Sequence, residues 1–228
     1  LEITSDLAFS HKIMATAEAK VELYDKVEAD QQSAKLGLGN DQNTFFNNNR
    51  AKGELFDSSI LKLVQLKDKV PEIPEGLCLR PLHSDDWKKG YLELLRQLTV
   101  VGQISESRFK ERFRSMADSN PTTYYVIVIE DTKSERVVGT ITLVLEFKFI
   151  HCAGMRGRVE DLVVDSNVRG KQLGKILSIY AVELARILGV YKVSLECKEQ
   201  LITYYEKFGY LKDPVNNFMV QRFAGVPL

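Results

Sequence analysis

From Leu77 onward the apolar positions of the chain recur with two periods. Stretches rich in Val, Ile, Leu, Thr and Tyr over 77–82, 123–129, 137–149, 158–165, 191–197 and 217–223 predict strands. Between them, apolar residues spaced by three and four predict helices. Trp87, Tyr91, Leu94, Leu95 and Leu98 line one helix behind a Ser84 cap, and Phe109, Phe113 and Met116 line a second over 105–116. Leu173, Ile176, Leu177, Tyr180, Leu184 and Ile187 line the longest, which Gly189 ends, and 200–207 forms a short last one. The order is β-α-α-β-β-β-α-β-α-β. The crossover around the longest helix is long enough to make its two flanking strands parallel, so the fold class is α/β (α+β) with a mixed sheet flanked by helices. Gly139 inside a strand predicts a bulge or a close backbone approach, and Cys78 in the first strand reads as a core thiol.

The chain before Leu77 is different in kind. Residues 1–53 read as an N-terminal extension, with one helix over 10–35 (Ile13, Ala17, Val21, Tyr24, Val27) on a mobile tether broken at Gly37-Leu38-Gly39. Residues 54–76 read as a short helix, with Asp57 or Ser58 as its cap, and a linker holding Pro71, Pro74 and Gly76. Residues 77–228 then form the main domain.

Composition narrows the function classes. The 228 residues carry 31 Lys and Arg against 31 Asp and Glu, so no overall basic field argues for nucleic acid or an anionic membrane. Any anion must be met by a local cluster. Cys78, Cys152 and Cys197 form no disulfide framework and no metal-ligand spacing with the three histidines, which suits a reducing, cytoplasmic setting and no metal. No apolar run approaches the ~20 residues of a membrane span, and Leu1 to Ser10 lacks the basic-then-apolar layout of a signal peptide.

The stretch Gly157 to Lys175, GRVEDLVVDSNVRGKQLGK, carries the chemistry. It reads as strand, glycine-bearing loop and helix start, a geometry that points backbone N–H groups and the positive helix end at an anion, with Arg169 and Lys171 beside them. It is not a Walker loop, because Gly170 and Gly174 enclose three residues and Ile176 follows Lys175; no G-x-G-x-x-G occurs either. A β-α turn with a basic helix entrance would look the same. Glu160 and Asp161 place an acid pair in the preceding strand.

This stretch resembles the pyrophosphate-binding segment of the GNAT superfamily of acyl-CoA-dependent N-acetyltransferases, matching at Arg169 and Gly174, with Gln172 where the pattern has its middle glycine. Together with Lys148-Phe149-Ile150-His151, Tyr191 to Cys197 and Tyr204-Tyr205-Glu206-Lys207-Phe208-Gly209-Tyr210, the chain from Phe56 to Arg222 is similar to the glucosamine-6-phosphate N-acetyltransferases of that superfamily. The resemblance implies a GNAT fold with a splayed pair of parallel strands. It also implies acetyl transfer from acetyl-CoA to the amine of glucosamine 6-phosphate by direct attack in a ternary complex, on the route to UDP-N-acetylglucosamine, by a homodimer. Acetyl-CoA would lie along Leu162, Val163 and Val164 and meet Arg169, Gly170, Lys171, Gln172, Leu173, Gly174 and Lys175. The sugar phosphate would meet Thr99, Lys148, Phe149, Ile150, His151, Glu160, Asp161, Leu162, Glu196 and Arg222. Tyr205 would protonate the leaving thiolate, and Asp161 or Glu160 would orient the amine or take its proton. Tyr204, about 100° away on the same helix, would pack instead. Leu201 stands where the family usually has an asparagine on CoA. The same fold acting on a polyamine or protein amine, or an acetyl-CoA-binding regulatory module without turnover, are the other readings of these residues. Cys197 reads as a structural thiol, with a reactive one near the CoA sulfur as the alternative.

Overall fold

A computed structural model describes residues 50–65, 70–214, 216–221 and 223. The helix expected over 10–35 and the candidate Arg222 lie outside the described residues. The sheet runs β1 (Leu77–Pro81), β2 (Tyr124–Asp131), β3 (Arg136–Phe147), β4 (Met155–Val164) and β5 (Val190–Leu195), side by side in that order. Neighbours are antiparallel except β4 and β5, which are parallel, as the long crossover between them requires. That crossover is α4 (Leu173–Ile187), whose apolar stripe, with Leu177, Tyr180 and Leu184 fully buried, packs on one sheet face. On the opposite face lie α2 (Tyr91–Arg96) and α3 (Glu106–Ala117). Ser105 caps α3 by accepting from the Arg108 N–H, and Phe109 and Phe113 are buried, as the pattern predicts.

The helix expected behind Ser84 is shorter than its apolar spacing suggested. Residues 84–90 wind as turns, and α2 starts only after Gly90, at φ 80°. Asp86 causes this. Its carboxylate is fully buried, accepts two bonds from Arg80 at 2.7 and 2.8 Å and one from the His83 N–H, and pulls the chain inward where a regular helix would carry it past. Glu130 completes the cluster, accepting from Arg80 and from Lys89. Trp87 leaves the helix face and donates to the Ile104 carbonyl.

The segment before β1 contributes to the core. Asp57 accepts from the Ser59 N–H at the start of α1 (Ser59–Gln65), and Leu55, Phe56, Ile60, Leu61 and Val64 are buried with the sheet residues. Two thiol expectations are overturned, because Cys78 and Cys197 are both exposed. Cys78 lies on the outermost strand, where one face has no helix over it, and Cys197 lies past the end of β5. The strand expected over 217–223 is absent among the described residues. Phe218, Met219, Val220 and Phe223 are exposed there, without a neighbouring strand to pair with.

Gly139 fulfils both expectations for it. The β2–β3 register slips beside it, and a Cβ there would come within 3.2 Å of Leu177 Cδ1.

Candidate active site

The site is shaped by two irregularities in β4. Opposite the single residue Ile141 of β3, β4 places Asp161 and Leu162 together, so that the pairing steps from Thr142–Glu160 to Thr140–Val163. This is a β-bulge, and Asp161 takes the left-handed conformation at φ 53°. The extra residue reverses the in-out alternation. Before it Gly157 packs with Leu143 and Val193; after it Val164 packs beside Gly139 on the face that meets α4. The second irregularity is the end of the β4–β5 ladder. The parallel pairing stops at Val159–Leu195, so Glu160 to Val164 continue without β5 beside them.

At that last rung, Arg158 donates to both Glu160 and Glu196 and ties the two strands at the point where they part. Arg158 is held in its charged form chiefly by the Glu160 bond, helped by both carboxylates. Asp161 is exposed over part of its surface and is the extra residue of the bulge. Desolvation first, and the neighbouring Glu160 charge second, raise its pKa above the usual carboxylate value.

Beyond β4 the chain turns through a 3₁₀ segment (Ser166–Val168), capped by Asp165, into Gly170 at φ 89° and Gln172 at φ 57°, where α4 begins. An open groove of about 820 Å³ lies here, lined by Val164, Arg169, Gly170, Gln172, Leu173, Gly174 and Lys175 on one side and by Tyr204, Lys207 and Phe208 on the other. The second wall is formed by α5 (Ile202–Glu206) and the turn after it. Gly174 lets the Tyr204 hydroxyl lie close to the start of α4, because a Cβ there would come within 3.2 Å of it. The α4 N-terminus and three basic side chains at its mouth suit a phosphate-bearing ligand.

The sequence and its fold have known counterparts. Residues 84–210 match the Acetyltransferase (GNAT) family. A Drosophila melanogaster protein named as a probable glucosamine 6-phosphate N-acetyltransferase is 47% identical over 150 residues, covering 65% of this chain and 68% of that one. The Candida albicans glucosamine 6-phosphate N-acetyltransferase is 38% identical over 151 residues, 66% of this chain and 99% of its own. The crystal structure of the Arabidopsis thaliana glucosamine-6-phosphate N-acetyltransferase superposes with a TM-score of 0.61 at 36% identity, over 65% of this chain and 99% of the other. The chain belongs to the GNAT acetyltransferase family.

In this GNAT domain the residues singled out from the sequence divide into groups. Leu162, Val163 and Val164 lie on the splayed part of β4, and Arg169 to Lys175 line or adjoin the groove mouth. Glu160 and Glu196 come together through Arg158, with Asp161 next along the strand. Thr99 follows the end of α2, its N–H held by the Leu95 carbonyl at 3.1 Å. Lys148 and His151 do not join them. Lys148 pairs with Glu146 at 2.6 Å and donates its backbone N–H to the Gly154 carbonyl, just before β4 begins. His151 stacks near Tyr191 with ring centroids 4.3 Å apart, inside a turn where His151, Cys152 and Ala153 all have φ between 53 and 57°. Phe149 and Ile150 stand exposed beside them. From Gly154 to Asp161, an extended strand of that length spans about 23 Å. Within one chain these residues therefore occupy opposite ends of β4.

Tyr205 faces away from the groove wall, toward Tyr210 and the end of β5. Burial first, then Tyr204 and Cys197, push its pKa up to about 12. Tyr204 does more than pack: its hydroxyl lies 3.4 Å from Ser178 Oγ and lines the groove. The sequence reading missed the bridging role of Arg158 and the groove wall formed by Tyr204, Lys207 and Phe208. The even spacing of Arg156, Arg158 and Glu160 on one strand face was the signal for Arg158.

Proposed function

We propose that this protein transfers acetyl from acetyl-CoA to the amine of glucosamine 6-phosphate, giving N-acetylglucosamine 6-phosphate and CoA for UDP-N-acetylglucosamine synthesis. The 47% identity to the Drosophila melanogaster relative carries the acceptor assignment. The splayed β4 and the basic groove mouth support the donor.

In this reading the pantetheine arm lies along Leu162 to Val164 as an added strand would, and the pyrophosphate meets the N–H groups of Gly170 to Lys175. The neutral amine nitrogen attacks the thioester carbonyl carbon. A C–N bond forms while the C=O π pair moves to oxygen. The oxyanion then collapses, the C–S bond breaks, and the sulfur takes its electron pair toward the Tyr205 hydroxyl. The ammonium proton leaves through Asp161, whose raised pKa brings it nearer to that task, while Glu160 is occupied by Arg158.

The enzyme acts in the cytoplasm as a homodimer. Support for the dimer comes from the two ends of β4. Lys148 and His151 can complete the phosphate pocket beside Glu160 and Asp161 only from a second copy. The exposed Phe149, Ile150, Phe218 and Val220 provide apolar surface for that contact.

The deciding experiment is CoA release with glucosamine 6-phosphate, glucosamine, spermidine and a lysine peptide as acceptors. The expected result is turnover of the sugar phosphate far above the other three. Equal turnover of glucosamine and its 6-phosphate, or preference for the polyamine or peptide, overturns the assignment.

A further inference from the structure

Among the described residues, a hydrogen bond outside the sheet ties the end of α2, before Thr99, to the turn that leads into the groove loop. The side-chain carbonyl of Gln97 accepts the backbone N–H of Ser166 at 2.9 Å, although the two residues are 69 positions apart. Gln97 is the C-cap of α2, and its own N–H is held by the Leu94 carbonyl at 3.0 Å. Beyond it, Leu98 and Thr99 donate to the Leu95 carbonyl at 2.9 and 3.1 Å, so Thr99 is fixed to α2 rather than free in the loop. On the other side, Ser166 opens the 3₁₀ turn that delivers Arg169 and Gly170 to the groove. Asp165 before it is anchored to β3 by its N–H on the Val138 carbonyl at 2.9 Å. The Ser166 N–H is thus a free donor at the start of a turn, and Gln97 supplies its acceptor. A longer or shorter side chain at the α2 C-cap would miss it, and an apolar one would leave it to water.

We infer that Gln97 is a positioning residue that registers the acceptor loop at Thr99 against the loop that receives the CoA pyrophosphate. This inference rests on the proposed acetyl transfer to a sugar phosphate. Gln97 stands two residues before Thr99 and Ser166 three residues before Arg169, so the bond lies close to both loops. Cofactor binding, which fixes 169–175, therefore orders the acceptor side through Ser166 and Gln97. By reciprocity the acceptor strengthens cofactor binding to the same degree.

The test uses the full chain with Gln97→Leu, Gln97→Glu and Ser166→Pro, and reads steady-state kinetics together with calorimetric titration of CoA. Gln97→Leu removes the acceptor. Ser166→Pro removes the donor, and Asp165 before it already has the extended ψ of 130° that a residue preceding proline favours. Each is expected to raise KM for both substrates and Kd for CoA by about 3- to 10-fold, the scale of one hydrogen bond, with kcat within about twofold. Gln97→Glu keeps near-wild-type values, because a carboxylate oxygen accepts the same N–H. The double variant Gln97→Leu, Ser166→Pro is no worse than either single one, since both break the same bond. Wild-type KM and Kd in Gln97→Leu overturn the inference, as do equal damage by Gln97→Glu or additive damage in the double variant. Wild-type protein that turns over no sugar phosphate would instead remove the acceptor assignment, and the CoA titration would still decide whether the tie serves the cofactor loop.

Discussion

Replacing Tyr205 by Phe removes one hydroxyl and almost no packing, and its size of effect follows from where that hydroxyl sits. Burial, Tyr204 and Cys197 push the phenol to about 12. A free thiolate of ordinary pKa near 8.5 is the weaker base by about 3.5 units. At ~1.36 kcal/mol per unit, outright proton transfer from Tyr205 to sulfur is uphill by about 5 kcal/mol. In the proposed reaction Tyr205 would therefore serve mainly as a hydrogen-bond donor to the sulfur as its charge develops. A preorganised donor of this kind contributes about 3 kcal/mol, or ~10²-fold in rate. Tyr205→Phe is expected to lower kcat by about that factor in a thiol-release assay at saturating substrates, with KM for acetyl-CoA changed less than about threefold. Tyr204→Phe is the matched contrast. Its hydroxyl faces Ser178 and the groove, so it should raise the acetyl-CoA KM a few-fold and leave kcat nearly intact. Because the Tyr205 phenol keeps its proton far above neutrality, the wild-type rate should show no alkaline fall from this group below about pH 10. Wild-type kcat in Tyr205→Phe, equal kcat losses in both variants, or an alkaline limb below pH 10 that vanishes in Tyr205→Phe would refute the reasoning.

Asp161→Asn should abolish most activity yet raise Tm at pH 7–8. The raised folded pKa means that the folded state binds its proton more tightly, so ionisation destabilises the fold as pH rises above the unfolded pKa; the gain in Tm should shrink on acidification, and Asn tolerates the φ of 53°. An unchanged or lower Tm in calorimetry at pH 7–8 would contradict this. Gly174→Ala sits inside α4 and gains up to ~1 kcal/mol of helix propensity, but its Cβ meets the Tyr204 hydroxyl at 3.2 Å; Tm should hold or rise while the acetyl-CoA KM increases. An unchanged or falling KM would mean that the close approach of Tyr204 to Gly174 does not shape the groove. Asp86→Ala removes the more buried of the two carboxylates on Arg80, leaving Glu130, and should cost about 3 kcal/mol in denaturant unfolding; a cost below ~1 kcal/mol would show that Asp86 is dispensable. Mixing Tyr205→Phe with His151→Ala, each expected to be strongly slowed, and refolding together should raise turnover above either variant alone, because a mixed dimer holds one intact pocket; absence of recovery in a demonstrated mixed dimer would place His151 outside the shared site.

Periodicity made most of the sheet and α4 legible, since residues such as Leu177 and Tyr180 recur where a buried helical face needs them. Resemblance, rather than periodicity, pointed to the groove loop. The misses share a physical cause. The helix behind Ser84 was overextended because Asp86 reads as a surface acid until Arg80, six residues earlier in an adjoining strand, is known to reach it. Cys78 and Cys197 look apolar by type, but exposure depends on which strands are outermost, and a single chain's pattern does not carry that. Phe218, Val220 and Phe223 are strand-forming by type, yet a strand needs a neighbour, and the described residues of one chain supply none. The bulge was similarly hidden. Val159 to Val164 reads as an unbroken strand, and only pairing with β3 shows that Asp161 is the extra residue.

That extra residue links the two halves of the proposed chemistry. Without it, Glu160 and Leu162 would share a face, and the alternation that puts Arg158 and Glu160 together would carry on toward α4. With it, Glu160 stays in the Arg158 bridge to Glu196, while Asp161 is pushed out of the ladder with its proton affinity raised by desolvation and by Glu160. Just past it, Leu162 to Val164 run on after the β4–β5 pairing has ended at Val159–Leu195, so their backbone groups on that side are open to an extended ligand. In the proposed reaction one carboxylate would serve structure and the other the amine, and both lie within two residues of the strand edge that would hold the thioester. A regular β4 would supply either the edge or the pair of differing acids; the bulge at the splay supplies both within four residues.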